Sequence, residues 1–231
     1  MKFLSIDTST RYSVVSLSDE QGMVYGKTCL YEKGHSQELS GLIEHCVEKA
    51  KWSLGDITGF GVGIGPGSFT GLRVGVSTIK GLSYALKKPC YTFSSLDAIA
   101  FNEAACKTNR LSVIVDAKRS NIYSCHYKVD ELTGALTRIS EDFLMPVDSL
   151  EKDNLENISF SGDGVALYKE MIHKKIKNAE FISQEFWYPT PQSISRLVHG
   201  SYRAHKGVDC FKLGAVYLYA EDCQVSKKTS S

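Results

Sequence analysis

Apolar and polar positions change period early in the chain. "KFLSID", "YSVVSLSD" and "MVYGKTCLY" are short apolar or alternating runs separated by the turn "DEQG" at 19–22. Runs of this length and period predict three strands in an antiparallel meander. In "HSQELSGLIEHCVEKAKW", Leu39, Leu42, Ile43, Cys46, Val47 and Ala50 then recur at helical spacing, with Ser36 as the N-cap. "ITGFGVGIG" (57–65) predicts a buried strand, residues 67–88 a second helix, "PCYTFS" a strand and "SSLDAIAFNEAACK" a third helix. The order is βββαβαβα, which implies a sheet with helices packed against it.

The pattern restarts at 111–129. "LSVIVDAKRSNIYSCHYKV" repeats the layout of "MKFLSIDTSTRYSVVSLS": an apolar strand, an Asp at its end, a polar turn and a second strand. Asp7 and Asp116 take matching places, which suggests a duplicated lobe. The second half adds a strand around 135–143, another at 158–164, and helices near 165–176 and 190–204. It is too short to repeat the whole first lobe. The expected division is 1–108, a reduced second lobe over 109–223, and a flexible tail from 224 to 231, with the boundary in "KTNR".

A chain of 231 residues with 42% apolar composition buries a sizeable core. Its net charge of +1 gives no field that attracts nucleic acid or an anionic membrane. "HKKIKN" (173–178) and "SKKTSS" (226–231) read as a solvated face and a frayed tail. Seven cysteines at irregular spacing, none in a C-x-x-C pair, indicate a reduced protein without a disulfide framework or zinc site. Asp7 interrupts the apolar run that a signal peptide needs, and no stretch is apolar over the ~18 residues of a membrane span. The expected location is the cytoplasm.

The densest glycine motif is "GIGPGSFTGLR" at 63–73. It fails as a P-loop, because Leu72 and Arg73 follow Gly71 where Lys and Ser or Thr are required. It fails as a dinucleotide fingerprint, because Ser68 or Thr70 stands where the third Gly belongs. What remains is a strand, a sharp turn and a helix capped near Ser68: a tight turn, or an anion site at a helix N-terminus. Gly67, Gly71 and Gly75 also recur every four residues, beside an apolar stripe of Leu72, Val76, Ile79 and Leu86. Each interior Gly costs a helix about 1 kcal/mol relative to Ala, so another backbone should approach closely there. That neighbour is either the lobe's own sheet or a helix of another chain.

"IDTST", "HSQEL", "GIGPGSFTGLRVG", "KGLSYAL", "SSLDAIA", "VDAKRSNIY" and "SGDG" stand in the order and spacing of the TsaB (YeaZ) family, which this chain resembles over residues 3–127 and on to 161–164. "GPGSFTGLR" is the most specific part. The last third matches poorly: where the family often carries Tyr-Leu-Arg, this chain reads "VYLYAED" (216–222) and lacks the Arg. The resemblance implies an α/β actin-like (ASKHA) fold of two ribonuclease H-like lobes, here with the second reduced. In active members of that superfamily the Asp and following hydroxyls hold nucleotide phosphate and Mg²⁺. Asp7, Thr8, Ser9 and Asp116 are the matching positions. The bland alternative for each Asp is a turn cap.

The resemblance further implies a non-catalytic subunit of the bacterial machinery that makes threonylcarbamoyladenosine in tRNA. Its partner would be the transferase TsaD, with the ATPase TsaE and tRNA met through that complex, a homodimer when alone, and no cofactor of its own. TsaD carries two metal-binding histidines four apart on a helix; Ser95 and Ile99 stand at the matching positions here. None of the six histidines, His35, His45, His126, His173, His199 and His205, has another four residues away. The expected partner face is helical: Leu39, Leu42 and Ile43 on the first helix with Gly67, Gly71, Leu72, Gly75 and Val76 at the second. The rival is a small ATPase or kinase using Asp7 and Asp116. A protease is not expected, because the sequence offers no nucleophile–base pair; Cys46 lies in an apolar stripe, and Ser68 lacks the G-x-S-x-G setting. Asp163, between Gly162 and Gly164, reads as a strand-end turn rather than a binding residue.

Overall fold

The computed structural model describes residues 1–30, 35–102, 106, 108–130, 132–153 and 157–219. The predicted cap at Ser36, Cys223, the "AED" of 220–222 and the tail 224–231 lie outside the described side chains or residues.

Strands β1 (Lys2–Asp7), β2 (Tyr12–Asp19) and β3 (Gly22–Leu30) form the expected meander. Helix α1 (His35–Lys49) follows, then β4 (Gly59–Gly63), α2 (Phe69–Leu86), β5 (Cys90–Phe93) and α3 (Ser95–Ala100). β4 pairs parallel with β1, and β5 parallel with β4. Parallel neighbours need a crossover, and α1 and α2 supply them. The second lobe repeats the theme with β6 (Arg110–Asp116), β7 (Asn121–Val129), β8 (Leu136–Arg138), β9 (Phe143–Pro146), β10 (Ser159–Ser161), α4 (Gly164–Lys175) and β11 (Glu180–Phe181). Its sheet runs β11-β10-β6-β7-β8, with β9 also on β7. Two lobes with corresponding β1–β2 and β6–β7 hairpins, each ending its first strand in Asp7 or Asp116, are the duplicated ribonuclease H-like arrangement expected.

The chain then departs from the expected division. α5 (Pro191–Arg203) packs not on the second sheet but on the first, where Ile194 and Val198 are buried among Phe3, Val14, Tyr91 and Phe93. β12 (Gly207–Val208) adds antiparallel to β5. The first sheet is therefore β12-β5-β4-β1-β2-β3, and residues 191–213 belong to the first lobe rather than to the second. The reason lies in β1: it is buried on both faces, so α1 and α2 on one side leave an apolar surface on the other. α5 covers it, starting from a Thr190–Ser193 capping box with Pro191 in the first turn.

α2 is the helix that positions the glycine motif. Ser68 caps it, its side chain accepting from the Gly71 amide, and Lys87 ends it in the left-handed region at φ 52°. The turn before it contains Gly65 at φ +103°, followed by a cis peptide to Pro66. A side chain at residue 65 would be strained in that conformation and would press on Leu72. Leu72, against the Gly65 turn, and Ile79, in the core between α2 and the sheet, are fully buried, each burial stabilising by about 1.5–3 kcal/mol. Among the described residues no helix is long and apolar enough to cross a membrane.

Candidate functional site

The ends of β1 and β6, where the sequence resemblance places the superfamily's phosphate site, are each closed by their own neighbours. Asp7 is fully buried. Its Oδ1 accepts from the Ser9 amide at 2.9 Å and the Ser9 hydroxyl at 2.6 Å. Its Oδ2 accepts from the Ser95 hydroxyl at 2.7 Å, which brings α3 onto the end of β1. Gly63 lies so close behind that a Cβ there would overlap Oδ2. Burial pushes the Asp7 carboxyl up from its ordinary range, against the opposing pull of the Ser9 and Ser95 hydrogen bonds.

Thr8 and Ser9 are occupied as well. The Thr8 hydroxyl donates to the Gly71 carbonyl at 2.8 Å. A Cβ on Gly71 would overlap the Thr8 carbonyl oxygen, one on Gly75 the Thr8 hydroxyl, and one on Gly67 the Ser9 carbonyl. The neighbour that accounts for the glycine stripe is therefore the β1–β2 turn of the same lobe. Leu39, Leu42, Ile43 and Val76 are buried in the core under α1 and α2, and Leu72 is fully buried as well. All eight residues expected on a partner face thus turn inward, because the sheet needs that apolar surface. Cys46 lies in the same core, and burial pushes its thiol up to about 11.

In the second lobe, Asp116 Oδ1 accepts from the Lys118 amide at 2.9 Å and Oδ2 pairs with the Lys118 ammonium. The Asp116 amide donates to Asp163 Oδ1 at 3.1 Å. Burial pushes the Asp163 carboxyl up. Facing it from the first lobe is Arg11, stacked over Tyr188 at 5.3 Å and Tyr12 at 5.5 Å. Arg11, Tyr188 and Asp163 thus stand together where the two lobes meet, and no sequence motif announced Arg11 or Tyr188. The residues present do not fit a Mg²⁺-nucleotide: Asp7 is sealed with donors on both oxygens, and Asp116 accepts from the amide and ammonium of Lys118 in its own turn. Both behave as turn caps.

Ser95 and Ile99 make no metal pair. Ser95 is committed to Asp7, and Ile99 is buried with Leu96 and Val113 in the second core. Among the described residues no group of three or more His, Cys, Asp or Glu could hold a metal ion. One nucleophile–base pair does exist that the sequence does not reveal: Ser18 Oγ lies 3.1 Å from His199 Nε2, 181 residues away. The Ser18 hydroxyl is fully buried between β2 and α5, so no peptide reaches it.

The open surface is elsewhere. On the outer side of α2, the Arg73 guanidinium lies 3.8 Å from the centre of the Phe69 ring and donates to the Tyr217 hydroxyl at 3.3 Å. The Phe69 and Tyr217 rings are 5.1 Å apart. At the far end of the same helix Tyr84 meets Phe211 at 5.7 Å. Tyr84 is 65% exposed and Phe211 70%, which leaves two aromatic pairs in solvent along one helix.

Two lobes built on corresponding hairpins define a protein of the actin-like (ASKHA) fold. The family model described as TsaD, tRNA N6-adenosine threonylcarbamoyltransferase, matches residues 29–217. The tRNA threonylcarbamoyladenosine biosynthesis protein TsaB of Bacillus subtilis is 28% identical over 85% of this chain and 86% of its own length. That of Escherichia coli is 31% identical over 57% of each. The solved structure of YeaZ from Pseudomonas aeruginosa superposes with a TM-score of 0.78 at 22% identity, covering 94% of this chain and 99% of that one. The chain belongs to the TsaB (YeaZ) branch of this TsaD-related family.

Proposed function

We propose that this chain is the non-catalytic subunit of the bacterial tRNA threonylcarbamoyladenosine machinery, acting in the cytoplasm by binding and supporting TsaD. The observation that carries the reading is the fate of Ser95 and Ile99. They stand where the resemblance places the metal ligands of TsaD, yet one hydroxyl is spent on Asp7 and the other side chain fills a core. TsaD would supply the metal and transfer the threonylcarbamoyl group; TsaE and tRNA would meet this chain only through the complex.

The proposed contact is the outer side of α2 rather than its glycine stripe. Phe69, Arg73 and Tyr84 point outward, with Phe211 and Tyr217 beside them, and exposed aromatic and Arg side chains are the residues that dominate interfaces. Without TsaD the same face would pair with a second copy, since a two-fold dimer is the commonest way to cover such a patch.

Copurification of tagged TsaD with this chain, followed by size-exclusion chromatography, tests the reading. A stoichiometric complex is expected. Separate elution at micromolar concentration overturns it. The isolated chain is expected to show no ATP hydrolysis and to form a concentration-dependent dimer in analytical ultracentrifugation. A concentration-independent monomer would contradict the self-association.

A further inference from the structure

After β12 the chain does not stop at the first lobe. Leu213 is buried in the core under α2, and Gly214 is exposed with open space around it. Residues 214–219 then run as a strap without regular secondary structure. The Val216 amide donates to the Ile64 carbonyl at 2.8 Å, at the end of β4. Tyr217 sits on Phe69 and Arg73 at the start of α2. Two residues on, the Tyr219 hydroxyl donates to the Ala117 carbonyl at 2.8 Å and accepts from Asn121 Nδ2 at 3.2 Å. Its ring meets Tyr123 edge-on at 6.1 Å. One short segment thus holds the first lobe at Tyr217 and the second at Tyr219.

The place it holds in the second lobe is unusual. Lys118, Arg119 and Ser120 in the β6–β7 turn all have positive φ, at 66°, 52° and 57°. Three such non-glycine residues in a row are strained and persist only where surrounding contacts hold them. Within the turn the Ala117 amide donates to the Asn121 carbonyl and the Asn121 amide to the Lys118 carbonyl, each at 3.0 Å. The Tyr219 hydroxyl reaches one of these carbonyls from outside, that of Lys118, at 3.3 Å. Asp116, whose amide donates to Asp163, is the residue that enters the turn.

We propose that residues 214–219 are a latch between the lobes, through which the state of the α2 surface at Phe69 and Arg73 is transmitted to the left-handed β6–β7 turn. Gly214 is the hinge, the Val216–Ile64 bond the pivot, and Tyr217 and Tyr219 the two contacts. The strap has a single backbone hydrogen bond to the sheet among those described, so it belongs to the low-stability segments that open without global unfolding. The inference does not depend on which partner binds α2.

Amide hydrogen exchange on the full chain tests it, with Ala117 and Asn121 as reporters. Tyr219→Phe keeps the ring on Tyr123 and removes the hydroxyl; exchange at both reporters should rise several-fold, with the amides of β1 and β2 unchanged. Tyr217→Ala acts at the other end of the strap, where it touches only the first lobe. It should raise exchange at the same two reporters. A response to Tyr219→Phe but not to Tyr217→Ala overturns the coupling, and no response to either overturns the latch. Should Tyr217→Ala fail to fold, Arg73→Gln releases Tyr217 from the opposite side and carries the same expectation.

Discussion

The hydroxyl of Ser95 donates to Asp7 Oδ2 at 2.7 Å, joining residues 88 apart at the junction of β1, the glycine turn and α3. The contact makes Asp7 an internal brace between β1 and α3. Removing the donor leaves one oxygen of a fully buried carboxyl without its partner, which costs about 1–3 kcal/mol. Ser95→Ala should therefore lower the midpoint of thermal unfolding by several degrees. An unchanged midpoint would mean that the brace carries no stability.

Asp7 also sets a pH dependence of definite sign. Burial raises its carboxyl above the unfolded value, so the folded protein holds the proton to higher pH than the unfolded chain does. Its stabilising contribution is full below the unfolded pKa of about 3.9 and is lost as pH rises through the raised folded value. Asp7→Asn removes that titration. The melting temperature of the variant relative to wild type should accordingly climb as pH rises from about 3.9 through the raised folded value. A constant difference, or one that narrows as pH rises, contradicts the raised pKa.

The glycines of α2 separate by what stands in front of them. At Gly71 a methyl group meets the Thr8 carbonyl, a backbone atom that cannot swing away. Gly71→Ala should destabilise by about 1–3 kcal/mol, and Gly75→Leu by at least as much, as overpacking does. Gly81 lies on the same helix with open space around it, so Gly81→Ala should stabilise by up to about 1 kcal/mol. Denaturant unfolding of the three variants reads this directly. If Gly71→Ala behaves like Gly81→Ala, the stripe does not pack on the β1–β2 turn.

Partner binding should follow the outer side of α2 instead. Phe69→Ala and Tyr84→Ala remove exposed rings, so the fold should be kept while affinity for TsaD falls, by about 2 kcal/mol where the residue is a hot spot. Calorimetric titration of TsaD into each variant measures the loss. Full affinity in both would place the contact on another face.

Much of the first lobe was legible because its signals are local. The period-2 runs of β1 to β3, the Ser68 cap and the 3.6-residue period of α2 each lie within a few neighbours, and the Asp7–Asp116 repeat exposed the duplication. What the sequence left open were contacts made at long range. The glycine stripe required a close neighbour, but only the fold decides that Thr8 and Ser9 supply it. α5 is strongly one-sided, yet its pattern does not say which sheet it covers, so residues 191–213 were assigned to the wrong lobe. The Ser18–His199 pair, the Arg11–Tyr188 stack and the reach of Tyr219 to Ala117 carry no motif at all.

Reconstituted threonylcarbamoyl transfer to tRNA tests the central claim most directly. The account predicts no transfer by this chain alone and a large rise when it is added to TsaD, TsaE and threonylcarbamoyl-AMP. It also predicts that a complex carrying folded Asp7→Asn retains the wild-type rate, because Asp7 braces the lobe and touches no substrate. Transfer by the chain alone, or loss of the rate in a complex that still assembles with Asp7→Asn, would contradict a supporting, non-catalytic role.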